Sequence, residues 1–120
     1  MKIILIGEFT DLNTYVDAER RNMFNGAKIK KRNTNDALKQ LTLKSGVVEQ
    51  YPVFITMTWY TKDMRIDPDN TAFAKKYILD ALVIKKILTN DGRRQIGGFK
   101  DMYEVDKLCP RVEIQIDAII

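Results

Sequence analysis

The chemistry this sequence can do is concentrated in its aspartates. Asp67 and Asp69 flank Pro68, and Asn70 follows. Two carboxylates this close repel each other unless a proton or a cation sits between them. Taken alone, the same four residues read first as a turn and helix N-cap. The segment that follows adds to them. At 3.6 residues per turn, a helix starting here aligns Asp69, Phe73, Lys76 and Asp80 along one face, which puts charge where a core stripe carries none. Asp91 lies eleven residues past Asp80, just beyond the expected end of that helix. If the fold returns Asp91 to the Asp67/Asp69 pair, three aspartates make an incomplete oxygen cage of the kind Mg²⁺ or Mn²⁺ prefers, with positions left for water and phosphate oxygens. Such an ion generates a hydroxide-like nucleophile near neutral pH and offsets the charge on phosphate oxygens during phosphodiester hydrolysis. Lys76 would hold the phosphate or steady the leaving oxygen; a solvated ion pair with Asp80 fits its spacing equally well.

The residues that are absent narrow the chemistry further. There is no histidine, and the only serine is Ser45. Histidine acid/base catalysis, the Ser-His-Asp triad and histidine-ligated zinc are therefore excluded. Cys109 stands alone, so neither a disulfide within the chain nor a thiolate metal site of ordinary ligand count is available. It reads as a small, half-buried hydrophobe.

A net charge of +4 over 120 residues favours an anionic partner. Lys28, Lys30, Lys31 and Arg32 form a dense cluster, with Arg20 and Arg21 before it. An isolated run of this kind is usually the solvated side of a helix. Beside a nuclease centre it becomes a contact surface for the DNA backbone, and its proximity to Gly26 suggests an arm that orders on DNA. Arg93 and Arg94, next to Asp91, are placed to touch phosphates beside a cut. Trp59 and Tyr60 read as core and sheet residues rather than base-stacking platforms.

These groups must be positioned by short, alternating elements. Residues 2–7 are β-branched and apolar, which suits a strand buried on both faces. Residues 11–43 are polar and helix-favouring, with a break expected at Asn25-Gly26. Residues 53–60 alternate as a strand, 71–88 read as a helix ended by Asn90-Asp91-Gly92, and 100–105 and 112–116 read as two further strands. The fold class is α/β of the α+β kind: a mixed sheet of about four strands with two or three helices, in the order β-α-β-α-β-β. Residues 1–120 should form a single domain. No run of eighteen apolar residues occurs, and Gly7 and Glu8 interrupt the apolar opening, so a soluble, cytoplasmic protein is expected.

The second half of the chain resembles the RusA-type Holliday-junction resolvases. That family carries an Asp-x-Asp-Asn pair, a lysine, an Asp-Ala-Leu and an acidic pair on the following turn. Here these positions are Asp67-Pro68-Asp69-Asn70, Lys76, Asp80-Ala81-Leu82 and Asn90-Asp91. The stretch Arg111 to Ile116 resembles the family's closing strand, and Asn13-Thr14-Tyr15 faintly resembles its early Asn-x-Tyr region. The likeness spans roughly residues 64–117 and is weak before them. Two features depart from the pattern. Lys76 stands three residues further from Asn70 than in the family, about one helical turn, which makes Lys75 the alternative. Asn90 replaces the first aspartate of the acidic pair. The resemblance implies Asp67, Asp69 and Asp91 as ligands of Mg²⁺, with Mn²⁺ able to substitute, and Lys76 as the active-site lysine; Asp80 suits a structural pairing. It further implies a homodimer that makes paired cuts in four-way DNA junctions during recombination and repair, in a phage or prophage setting. Two rival readings remain: a non-catalytic DNA-binding protein whose aspartates cap helices, and a metal-dependent hydrolase of small nucleotides.

Overall fold

Alternation of side chains decides where the sheet lies. In the computed structural model, which describes residues 1–42 and 45–120, the elements run β1 (Lys2–Ile6), α1 (Leu12–Arg21), α2 (Met23–Gln40), β2 (Val53–Thr61), α3 (Pro68–Ala72), α4 (Lys75–Ile84), β3 (Ile96–Val105) and β4 (Arg111–Ala118). This is the expected α+β order with each helical segment split in two. The four strands form one mixed sheet in the order β1-β4-β2-β3. β4 is antiparallel to β1 and β2, and β3, reached through the α3–α4 crossover, is parallel to β2.

Every second residue of β2, namely Val53, Ile55, Met57 and Trp59, is buried. The register sets Ile55 beside Ile116, Met57 beside Ile114 and Trp59 beside Val112, while β1 adds Ile3 and Leu5. Against this face pack Ala37 of α2 and Tyr77, Ile78, Ala81 and Leu82 of α4. The opposite face is open, with Ile4, Ile6 and Phe54 exposed. β1 is therefore buried on one face, not on both as its composition suggests; the alternation of a half-covered sheet overrides the apolar run. On the open face Arg111 lies over the Tyr60 ring at 3.7 Å and bonds Asp106 and Glu113 at 2.7 and 2.8 Å, with Lys2 reaching Glu113 at 2.8 Å.

The helix boundaries differ from the sequence reading for identifiable reasons. The break in the first helical segment falls at Asn22, not at Asn25-Gly26, because the Asn22 side chain accepts from the Phe24 N–H at 2.9 Å and starts α2. Gly26 lies inside α2, where a Cβ would stand 2.5 Å from the Glu19 side chain of α1. It permits a close approach of two helices rather than a turn. The basic cluster is thus part of a continuous helix and not an arm. α4 ends at Ile84, short of residue 88, because Lys86 adopts a left-handed φ of 61° and Ile87 N–H bonds back to the Leu82 carbonyl at 2.9 Å. That is a Schellman closure without its usual glycine. The expected end of the first helical segment near Leu43 lies outside the described residues. Buried Asn33 ties α2 to the β1–α1 loop, donating to the Thr10 hydroxyl and the Ile29 carbonyl and accepting from the Thr10 N–H at 2.8–2.9 Å.

Candidate functional site

Asp67 occupies the N-cap position of α3 ahead of Pro68, yet its side chain makes no capping hydrogen bond. A cap accepts from the second or third helical N–H, and here the third, that of Asn70, is taken by Asp69 instead. Asp69, within the first turn of α3, accepts the Asn70 N–H at 2.9 Å. Both carboxylates are exposed. Asp67 lines an open cavity of about 590 Å³ together with Asp63, Tyr103 and Glu104. Tyr103 belongs to the same neighbourhood as Asp69: its hydroxyl pKa is raised first by burial and then by the charges of Asp101 and Asp69. Asp101, on β3, is held on both oxygens, accepting from the Trp59 indole at 2.9 Å and from Lys75 at 2.7 Å. The Lys75 ammonium also lies 4.4 Å from the centre of the Phe99 ring. This end of the crossover therefore gathers Asp67, Asp69, Asp101, Lys75 and Tyr103.

Asp91 stands at the other end. The 10 residues of α4 span about 15 Å, and Asp91 follows that helix while Asp67 precedes it. Asp91 shares a second cavity, of about 500 Å³ between α2 and α4, with Asp80, Lys30, Lys31, Thr34 and Asn35. Asp80 bonds Lys76 at 3.2 Å and Lys30 at 3.4 Å. The Thr34 hydroxyl in this wall is buried and has no hydrogen-bond partner among the described residues. Lys28, Lys31 and Arg32 continue the basic surface along α2 over a shallower depression of about 340 Å³. Arg20 and Arg21 close α1, and Arg93 and Arg94 are exposed in the turn that leads from Gly92 into β3.

Asp67 and Asp91 thus line different cavities. Among the described residues no group of three or more acidic or cysteine side chains is close enough to hold a metal ion. The expected face of Asp69, Phe73, Lys76 and Asp80 is interrupted as well, because α3 stops at Ala72 and α4 starts afresh at Lys75. Phe73 instead packs against Tyr15 and Tyr77, with ring centres 5.2 and 5.8 Å away. Lys76 is engaged with Asp80, and it is Lys75 that reaches Asp101 on β3. The faintly similar Asn13 region does meet the motif, since its N–H donates to the Asn70 side chain at 3.0 Å.

Neither the family models nor the curated proteins offer a match to this chain. The site must be judged on its own residues. Asp101, Tyr103 and Thr34 were not singled out by the sequence reading. The signal for the first two was their shared parity with Phe99 on a strand, which puts them on the helix-covered face beside Lys75.

Proposed function

We propose that the protein is a crossover junction endodeoxyribonuclease of the RusA kind: a homodimer that resolves four-way DNA junctions by metal-dependent phosphodiester hydrolysis. The observation that carries this reading is the cavity between α2 and α4, where Asp80 and Asp91 stand among Lys30 and Lys31. Phosphodiester hydrolysis needs cations that draw in the backbone beside carboxylates that can serve a metal. Lys28, Arg32, Arg20, Arg21, Arg93 and Arg94 extend the same attraction to the flanking backbone. Asp67 adds support, because a carboxylate at a helix start that caps nothing is free for another task.

Among the described residues the three aspartates are not gathered into one group within a single copy. In this reading Asp67 and Asp69 of one copy and Asp91 of the other hold Mg²⁺, replaceable by Mn²⁺, and the bound ion supplies an activated water. Lys75, which reaches Asp101 on β3, is favoured over Lys76 as the lysine that meets the phosphate. A two-fold dimer matches the near two-fold symmetry of a four-way junction and the need for paired cuts. No helix of the described residues is long and apolar enough to cross a membrane, and a cytoplasmic role in recombination and repair, in a phage or prophage setting, goes with this proposal.

The separation of the carboxylates in one protomer favours a second reading, a DNA-binding protein that does not cut. One assay distinguishes them: the protein is incubated with a synthetic four-way junction, a linear duplex and a nucleotide, with and without Mg²⁺. Cleavage of the junction alone, lost in Asp69→Asn while junction binding persists, is the expected result. Equal loss of binding and cutting in that variant counts against the assignment, and binding by the wild type without cutting in the presence of Mg²⁺ supports the non-catalytic reading.

A further inference from the structure

The two edges of the sheet are built differently. β1 has 5 residues, and the Gln40 side chain covers its end, accepting from the Ile6 N–H at 2.6 Å and donating to the Ile6 carbonyl at 3.0 Å. β3 has 10 residues and, among the described residues, no strand on its outer side. Phe99, Met102, Tyr103 and Val105 are exposed along it. A long edge with apolar side chains and unpaired backbone is a template for another strand, and proteins that remain monomeric usually shorten or cover such edges. The unpaired groups can be identified. Asp106 N–H donates to the Thr61 carbonyl at 2.8 Å, and because hydrogen-bonding direction alternates along a strand, the N–H and C=O groups of Phe99, Asp101, Tyr103 and Val105 face away from β2.

We infer that β3 pairs antiparallel with β3 of a second copy, about a two-fold axis through Met102. The strand is complementary to itself in that register. A two-fold axis perpendicular to the sheet brings together residues of equal parity, so with Met102 on the axis Lys100 faces Glu104, Phe99 faces Val105 and Asp101 faces Tyr103, each pair occurring twice. The outward-facing residues then fall at the hydrogen-bonded positions, and the Lys100–Glu104 pairs at the closer, non-bonded ones. Moving the axis to Asp101 or to Lys100 sets like charges against each other, which is destabilising. Moving it to Tyr103 places Glu104 against Met102 and Asp101 against Val105.

Antiparallel pairing also lays the end of one β3, beside Asp67 and Tyr103, next to the start of the other, which Asp91 precedes. That consequence rests on the two-copy part of the proposed function, whereas the interface rests on the strand itself.

Two experiments without DNA or metal test it. In a Cys109→Ser background, Met102→Cys should form a disulfide-linked dimer under mild oxidation, because its two copies face each other across the axis. Lys100→Cys should not, since its copies are offset by four residues, about 13 Å. In sedimentation equilibrium, Lys100→Glu and Glu104→Lys should each raise the dimer Kd about tenfold, and the double exchange should restore it. Crosslinking of Met102→Cys no faster than Lys100→Cys overturns the register, and a double exchange no tighter than the singles does the same. A crosslinked dimer that leaves junctions intact would sink the nuclease reading alone; a junction-cutting protein without the crosslink would sink this interface alone.

Discussion

Tyr77 offers a sharp test of how α4 is held. Its side chain is 1% exposed, its hydroxyl has no hydrogen-bond partner among the described residues, and its ring meets Phe73 edge-on with centres 5.8 Å apart. A buried hydroxyl without a partner costs about 1–3 kcal/mol in proteins. Tyr77→Phe keeps the ring and its edge contact and removes only that oxygen, leaving a void worth a fraction of a kcal/mol. The variant should therefore be more stable by about 1 kcal/mol at pH 7, a Tm rise of roughly 3–5 °C for a chain of this size. The pH dependence supplies an independent check. Burial, followed by the charges of Tyr15 and Asp11 and opposed by Arg32, pushes the Tyr77 pKa up from 10.0 to about 12. Folding thus favours the neutral phenol, while the unfolded chain ionises freely above pH 10. The associated stability is complete below pH 10 and is lost as pH rises toward 12, by on the order of 2 kcal/mol. Urea unfolding of wild type and Tyr77→Phe at pH 7, 10 and 11.5 measures both effects. A variant less stable than wild type at pH 7, or one with an unchanged alkaline slope, would show that the hydroxyl has a partner and that the reasoning fails.

Three further outcomes follow from the charges. Glu113 is lowered by its hydrogen bonds from Lys2 and Arg111, and Asp106 by its bond from Arg111; both contributions are complete above the ordinary values of 4.5 and 3.8 and are lost as pH falls through the depressed folded values. Arg111→Met should therefore lessen the loss of stability between pH 5 and pH 2.5, read from urea midpoints, and an unaltered acid slope would contradict the network's role. Replacing Lys30 and Lys31 with alanine should lower the salt slope of junction binding by about 0.9 for each phosphate contact removed, and an unchanged slope in a KCl titration would exclude α2 as the contact. Asp101→Ala should cost about 1–3 kcal/mol by leaving the Trp59 N–H unpaired and should shift the emission of this single tryptophan, whereas identical fluorescence and stability would remove Asp101 from the site.

Legibility followed the physics of each element. β2 and β4 were readable because one face is buried against helices and the other is not, so composition alternates with the pleat. β1 misled because Ile4 and Ile6 are apolar on an open face, where nothing in a short run distinguishes an exposed isoleucine from a buried one. The helix ends misled because the expected stop residues were doing other work. Gly26 admits Glu19 of the neighbouring helix, and Lys86 takes the left-handed position that a glycine usually fills. Propensity assigns such positions by residue type, whereas tertiary contact decided them.

The candidate site was legible as a set of residue types and not as an arrangement. Spacing along one helix predicted the Lys76–Asp80 pair, since both partners ride the same turn. It could not predict that Lys75 would turn to Asp101 on β3, because that contact depends on where a strand arriving twenty residues later is laid. The same limit governs Asp67 and Asp91. The resemblance joins them along the chain, but a helix about 15 Å long runs between them, and they line two different cavities. Two copies paired about a two-fold axis along β3 would reverse that separation, because antiparallel pairing exchanges the two ends of the crossover. Self-complementarity of Lys100 and Glu104 was present in the sequence throughout, but it carries meaning only for an edge strand, and strand order is the property that a single sequence reveals least.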